Sequence, residues 1–228
     1  MKRILLTLLL TAALTASAQV SPWAFGLQAG VAAYTTTGSL HDNFKGAVGF
    51  TGGITAQWHQ ARLKADVTYS QPSFRNPNMF DVHDEQGHEA EVNAKSNAST
   101  VALSLQYGYT IFQFGAVSIT PCAGIHYSRY AWDINSIEWS KDEQDEDIFK
   151  ITGTHHATCG SLQPIASIDF DFKLHEKYTD AFGPQQRLRS SIRVTPYITY
   201  ARHKKVSPKV GGCIVGVTLT YSGLLRNM

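Results

Sequence analysis

The residues best suited to hydrolytic chemistry are His126 and Ser128, followed along the chain by Glu138. A serine nucleophile needs a histidine as general base and a carboxylate that orients the histidine. The histidine and the serine stand two positions apart, so on a β-strand their side chains share one face. Apolar and polar residues alternate in the segment around them, and His126 and Ser128 occupy the polar positions, which are predicted to face inward. We therefore expect no enzymatic activity.

Two segments carry residue types that bind metals. The run Asp142–Asp147 contains five carboxylates, and oxygen ligands of this kind suit Ca²⁺. The run lacks the glycine turn and the ligand spacing of an EF-hand, which favours a solvated loop. His155 and His156 are adjacent, so their side chains point apart on an extended chain. We expect neither a metal ion nor another cofactor.

Seven charged residues occupy polar alternate positions in the segments around them. They are Arg62, Lys64, Asp66, Asp169, Asp171, Lys173 and Arg193. Such a set can form a path for protons or ions, or a salt-bridged plug that neutralises charge in a narrow interior. The choice depends on the width of the space that the surrounding elements enclose.

Alternation between apolar residues and small or polar residues runs through most of the chain. This period of two predicts β-strands rather than helices. Eight strands are predicted, at residues 23–34, 47–58, 62–70, 101–110, 117–128, 162–173, 191–200 and 213–221.

The connections between these strands alternate in length. Tight turns at His59–Ala61 and Phe112–Gly115 fall at one end, whereas loops at Gln71–Ala98 and Ala131–Thr158 fall at the other. Short turns, long loops and an even strand count are typical of transmembrane β-barrels in bacterial outer membranes. The link His175–Ser190 is longer than this pattern prefers. The sequence predicts an all-β, eight-stranded antiparallel transmembrane β-barrel.

Aromatic residues on the apolar face form two groups. Near the turns lie Trp23, Phe25, Trp58, Tyr107, Tyr109, Phe170, Phe172 and Tyr221, and near the loops lie Phe50, Tyr69, Tyr127 and Tyr200. Aromatic side chains concentrate at both interfaces of a membrane. The two groups therefore favour a membrane-spanning barrel.

The rival interpretation is a soluble, lipocalin-like barrel, which would turn the apolar face inward around a ligand. The polar face is rich in glycine, alanine, serine and threonine, with charges of both signs. Such residues fill a narrow lumen, whereas a face in water would carry more Lys and Glu. Eight strands leave a lumen just wide enough for side chains, so we favour the plug over an ion path.

The first 18 residues are typical of a secretory signal peptide. Two basic residues precede the apolar run Ile4–Leu14, and small residues lead to a predicted cleavage after Ala18. The barrel domain would then occupy residues 19–228. The protein is expected in the cell outer membrane.

Composition excludes several other classes. Charged residues make up 17% and aromatic residues 11% of the 228, which disfavours disorder and coiled coils. Without the two basic residues of the signal peptide, 18 basic residues face 18 acidic ones, so nucleic acid is not an expected partner. Cys122, Cys159 and Cys213 have no metal or redox spacing and are predicted to be free thiols.

The chain resembles the outer-membrane β-barrel domain family of Bacteroidetes, which includes small OmpA-, OmpX- and PorT-like barrels. The resemblance rests on the Ala-Ser-Ala-Gln end of the signal peptide and on the segments Trp23–Gly30, Ile119–Ile125 and Val194–Tyr200. Two features depart from the pattern. Prolines at 121, 164 and 196 suggest bulges or local breaks, and the chain continues past Tyr221, where many barrels end on a terminal aromatic residue.

A basic segment follows the seventh strand and contains Arg202, Lys204, Lys205 and Lys209. It is predicted to contact lipopolysaccharide phosphate or the acidic segment Ala131–Thr158. The expected partners are outer-membrane lipid, lipopolysaccharide and other envelope proteins. We expect a non-enzymatic barrel with a plugged lumen and surface loops for structural or interaction roles. An accessory of a PorT-like secretion or assembly system and the lipocalin-like barrel are the alternatives.

The predicted topology can be checked by single cysteines in a background without the native ones. Cysteines at Glu85, Asp145 or Lys205 should react with an impermeant maleimide on intact cells, because these positions lie in outer loops. A cysteine at Gln60 should not react. Labelling of all four only after the outer membrane is disrupted would contradict the topology.

Overall fold

The computed structural model describes residues 23–75, 80–83, 89–92, 98–141, 147–179, 186–203 and 210–227. Eight long strands are β1 (Trp23–Thr36), β2 (Ala47–Trp58), β3 (Ala61–Ser70), β6 (Ser99–Tyr109), β8 (Val117–Lys141), β9 (Asp147–Thr179), β10 (Gln186–His203) and β11 (Val210–Asn227). The smaller elements are helix α1 (Ser39–Asn43) and strands β4 (Phe80–His83), β5 (Glu89–Val92) and β7 (Phe112–Phe114).

The eight long strands form a closed ring of antiparallel neighbours. Their order is β6, β3, β2, β1, β11, β10, β9 and β8, and pairing between β6 and β8 closes the circle. Closure satisfies the backbone groups that an open sheet would leave unpaired at its edges. The predicted eight-stranded antiparallel barrel is confirmed.

The two faces of the barrel wall differ in chemistry as the alternation predicts. Apolar side chains such as Leu103 and Leu105 are exposed on the outer face, whereas Ser128 and Thr120 are buried on the inner face. An apolar exterior around a polar interior is the pattern of a transmembrane barrel. The lipocalin-like alternative requires the opposite arrangement. The described residues include no helix long and apolar enough to cross a bilayer.

The two ends of the barrel are defined by their connections. The end with His59, Gln60 and β7 is called the turn end, and the opposite end, with α1, is called the loop end. Trp23 stacks on Phe25 and Trp58 at the turn end. The aromatic groups predicted for both ends lie on the outer wall, although Phe170 is partly buried there.

The loop predicted at Ala131–Thr158 is largely strand. β8 and β9 stay paired from Ala131 and Thr158 up to Lys141 and Asp147, with a register shift between Ser136 and Ile137. This continuation of β8 and β9, here called the β8–β9 extension, projects about 30 Å at roughly 3.3 Å per residue. The predicted loop was wrong because the register shift between Ser136 and Ile137 interrupts the alternation that marks the other strands.

Two other connections also contain regular structure. Residues Gln71–Ala98 include the β4–β5 hairpin, and α1 follows β1. At the turn end, β9 runs to Thr179 and β10 begins at Gln186, so the predicted long link His175–Ser190 is mostly paired strand. A register shift between Ser190 and Ser191 hid this pairing from an argument based on strict alternation.

Residues beyond Tyr221 continue as strand. Ser222 pairs with Gln28 of β1 and with Ser191 of β10, and the pairing extends to Arg226. The barrel wall therefore continues past Tyr221 towards the turn end.

The three unusual prolines have different effects on the wall. Pro121 and Pro164 stay within the β8–β9 ladder, opposite Ile168 and Ile125. At Pro196 the β9–β10 ladder is interrupted and resumes in the same register at Tyr197. The predicted local break is therefore found at Pro196, whereas at Pro121 and Pro164 the β8–β9 ladder continues.

Some predicted features lie outside the described residues. These are residues 1–18, Glu85, Asp142–Glu146, Lys204, Lys205 and Lys209.

An arginine on the outer wall tests the membrane-facing surface. Leu105 is 45% exposed and lies about midway along its strand, so Leu105→Arg should destabilise the barrel in lipid vesicles by about 2–4 kcal/mol. Leu188 is similarly exposed, at 42%, but lies below the turn-end aromatic residues, so Leu188→Arg should cost at most about 1 kcal/mol. Urea unfolding in vesicles measures both. Equal tolerance of the two variants would contradict the membrane-facing assignment.

Candidate functional site

The centre of the lumen is occupied by a buried carboxylate with several donors. Asp169 Oδ1 accepts hydrogen bonds from Lys64 Nζ at 2.6 Å and from Thr195 Oγ1 at 2.9 Å. Its other oxygen, Oδ2, accepts from Arg62 Nη1 at 3.1 Å. Asp169 itself has 0% exposed surface. An ionised group in this position requires opposite charges and hydrogen-bond donors close to it.

A second carboxylate extends this network. Asp171 Oδ2 lies 2.6 Å from Arg62 Nη1, and Asp171 Oδ1 accepts from Arg193 Nε at 2.6 Å. Arg193 also donates to the side-chain oxygen of Gln28, whose Nε2 donates to Asp66. Three cations and three carboxylates are thereby joined, and their formal charges cancel.

This ion-pair network contains six of the seven predicted lumen charges: Arg62, Lys64, Asp66, Asp169, Asp171 and Arg193. The seventh, Lys173, lies closer to the turn end and pairs with Glu176, which also pairs with Arg187. The sequence groups Lys173 with the other six because it lies two residues after Asp171, and alternate residues of a strand share one face. The register shift in the β9–β10 pairing skips Leu174, so Glu176 shares the inner face with Lys173 although the two residues are three positions apart.

Sequence analysis missed the uncharged members of the network. Gln28 links Arg193 to Asp66, and Thr195 donates to Asp169. Both residues occupy the polar alternate positions, so their inward direction was predictable. Their partners were not, because the contacts join strands that are distant in the sequence.

A buried apolar cluster, here called the aromatic lid, lies at the loop end of the lumen. Phe44 follows α1 and packs on Tyr130, Phe74 and Trp132, with ring centroids 5.0, 5.3 and 5.9 Å away. Leu40 of α1 is fully buried in the same cluster. The lid was not predicted, because Leu40 and Phe44 lie in a connection without a strand pattern.

Gly38 forms the turn that precedes α1 and lies close to β11. Its φ of +64° is in the left-handed region, which disfavours other residues. A Cβ atom there would also lie 2.9 Å from the carbonyl oxygen of Gly211. This turn directs Leu40 over the loop end.

A cavity of about 50 Å³ lies between the ion-pair network and the aromatic lid, and both His126 and Ser128 line it. Ser128 Oγ accepts a hydrogen bond from Gln163 Nε2 at 2.7 Å, and Ser128 is almost fully buried. Glu138 lies on the β8–β9 extension, ten residues further along β8, or about 30 Å. The structure therefore does not assemble the serine, histidine and carboxylate.

The remaining candidates lie near the loop end. Arg202 is exposed, and its backbone N–H donates to Ser161 Oγ at 3.3 Å. His156 Nδ1 lies 2.8 Å from Asp133 Oδ1, and both side chains are exposed. Among the described residues, no group of three or more His, Cys, Asp or Glu side chains is arranged to hold a metal ion. Three free thiols are found, of which Cys122 and Cys159 are buried and Cys213 is partly buried.

The fold resembles several solved structures. Neisserial surface protein A is 13% identical, with 90% of this chain and 97% of that one aligned and a TM-score of 0.41. Ail, the attachment invasion locus protein of Yersinia pestis, is 11% identical over 89% and 97%, with a TM-score of 0.45. The outer membrane protease OmpT from Escherichia coli is 12% identical over 90% and 96%, with a TM-score of 0.35.

Likenesses this distant carry no argument about function. No protein-family profile matches the chain, and no curated protein matches it significantly.

Neutralising the central carboxylate tests the ion-pair network. Asp169→Asn should destabilise the barrel by about 3–5 kcal/mol, because Lys64 and Arg62 would lose their counter-charge while buried. Adding Lys64→Met should recover part of the loss, since two cations would again face two carboxylates. Urea unfolding of the refolded protein provides the measurement.

The matched control is Asp133→Asn at the exposed pair with His156. It should cost less than about 1 kcal/mol, because exposed ion pairs contribute little. A loss at Asp169 no larger than the loss at Asp133 would contradict a structural role for the network.

Proposed function

We propose that this chain is a non-enzymatic integral outer-membrane protein with a plugged lumen, whose loop end serves structural or interaction roles. The observation that carries the proposal is the filling of the lumen at two levels. The ion-pair network occupies its centre, and the aromatic lid covers its loop end. A path for solutes would have to break buried ion pairs and displace packed aromatic rings.

The outer membrane is the compartment that best suits the surface. The outer wall is an apolar band bordered by aromatic side chains. Short connections are typical of the periplasmic side of such barrels, so the turn end would face the periplasm and the loop end the exterior. The predicted signal peptide agrees with export.

The interaction surface that we propose is the β8–β9 extension. Pairing of β8 with β6 stops at Ala131, and pairing of β9 with β10 stops at Ile165. The extension thus projects beyond the ladders that join β8 and β9 to the rest of the ring, and we propose that a partner strand adds to its edge. Residues Thr152–His156 are exposed there.

Lipopolysaccharide is the proposed lipid partner. Arg202 is exposed at the loop end of β10, and Lys204, Lys205 and Lys209 follow it in the sequence. Phosphate groups attract such a cluster. Membership of the Bacteroidetes barrel family, and an accessory role in a PorT-like system, stay hypotheses from the sequence resemblance.

Shortening the β8–β9 extension tests the assignment of function to the loop end. A variant in which Asp133–His156 is replaced by a tight turn should still fold and show the heat-dependent gel shift of a barrel. It should fail to restore whatever fitness phenotype deletion of the gene produces. A control variant with a different His59–Gln60 turn should restore it, because that turn lies at the opposite end.

Planar bilayers test the closed lumen in the same proteins. We expect little steady conductance from the intact barrel and from the shortened variant, because the ion-pair network is retained in both. A large, stable, salt-dependent conductance would overturn the plugged lumen. Full complementation by the shortened variant would overturn the role of the extension.

A further inference from the structure

The turn-end half of the lumen holds more positive than negative charge. Six described cations, Arg62, Lys64, Lys173, Arg187, Arg189 and Arg193, face four carboxylates, Asp66, Asp169, Asp171 and Glu176. Three of these cations are nearly fully buried. Asp180, which follows β9 in the sequence, carries one further negative charge and lies outside the described residues. Excess charge of one sign is costly where water is scarce.

Arg189 accounts for part of this excess. Among the described residues its side chain makes no hydrogen bond and no ion pair. Its electrostatic neighbours are one carboxylate, Asp171, and three guanidinium groups, those of Arg62, Arg187 and Arg193. Asp171 is already engaged by Arg62 and Arg193. Among the described residues, Arg189 therefore has no counter-charge of its own.

A second donor in the same place also lacks a partner. Arg62 Nε is buried and has no acceptor, although Nη1 of the same side chain binds Asp169 and Asp171. A buried N–H without an acceptor costs the desolvation energy of that group. Arg62 Nε and the Arg189 guanidinium group can therefore each donate a hydrogen bond to a negatively charged oxygen atom.

Both arginines line one small cavity near the turn end, here called the arginine pocket. Arg193, Ser191 and Ser222 also line it, as does Asp171, whose carboxylate is paired with Arg62 and Arg193, so the lining keeps a net positive charge. The two serine hydroxyls lie 2.8 Å apart and bond to one another. The cavity volume of about 10 Å³ accommodates roughly one oxygen-sized group.

We propose that the arginine pocket binds an oxyanion, a phosphate or carboxylate group of a soluble molecule that enters from the turn end. Guanidinium groups match such anions with paired, charge-assisted hydrogen bonds. One anionic oxygen would occupy the pocket, where Arg62 and Arg189 donate to it. The rest of the anion would lie towards Lys173 and Arg187, nearer the mouth.

The arginine and serine side chains that line the pocket occupy inward positions of the wall, which favours a soluble molecule over a membrane lipid. This inference goes beyond the proposed function and depends on it only for the compartment, which would be the periplasm. Failure of the anion test would leave the predictions for the loop end and for conductance unaffected.

Inorganic phosphate is the probe for the test. The refolded full-length barrel is heated in nonionic detergent with phosphate or with chloride at equal ionic strength, and the midpoint of the gel shift is measured. At about five times the dissociation constant, phosphate should raise the midpoint by about 2–4 °C. Acetate should produce a smaller shift in the same direction, because it offers a single negative charge.

Arg189→Gln should abolish the phosphate shift, and Arg189→Lys should retain part of it because the positive charge remains. The matched control is Arg129→Gln, which removes an exposed arginine of β8 near the loop end and should leave the shift intact. If Arg189→Gln does not fold, phosphorus NMR of the Arg189→Lys protein replaces it, with weaker line broadening of phosphate expected than in the native barrel.

Three outcomes would overturn the proposal. The first is no difference between phosphate and chloride in the native protein. The second is an equal phosphate shift, or equal line broadening, in the Arg189 variants and the native protein. The third is a shift produced by anionic phospholipid vesicles but not by phosphate, which would assign the binding to a lipid headgroup.

Discussion

Asp169 is the residue on which the interior of the barrel depends. It has no exposed surface, so its charge is tolerated only because Lys64 and Arg62 reach it from β3. Along the ring, β6 and β8 separate β3 from β9, so these ion pairs span the lumen and brace two different walls. Asp171 and Arg193 continue the same bracing to β10.

The two groups of side chains that we propose to fill the lumen have different structural origins. The ion-pair network is built by residues of the ring strands, whereas the aromatic lid combines Leu40 and Phe44 from the connection after β1 with Tyr130 and Trp132 from β8. Trp132 lies at the base of the β8–β9 extension. The lid and the extension therefore share strand β8, and Ile134 of the extension packs against the lid.

The interactions that we propose lie at the two ends of the barrel. At the loop end, the β8–β9 extension projects beyond the ladders that β8 forms with β6 and β9 forms with β10. At the turn end, Arg189 and the orphaned Nε of Arg62 lie in a pocket with excess positive charge. The wall between them supplies stability and a fixed separation of the ends.

The sequence by itself determined the strands, the two faces of the wall and the inward direction of the lumen charges. It could do so because side-chain direction along a strand has a period of two, which is a local property. Only the tertiary structure decided that Asp169 meets Lys64, that Lys173 joins Glu176 instead, and that residues beyond Ala131 form a hairpin. Those outcomes depend on strand register and on the position of the bulge near Ser190, which arise from pairing between distant segments and leave no local pattern in the sequence.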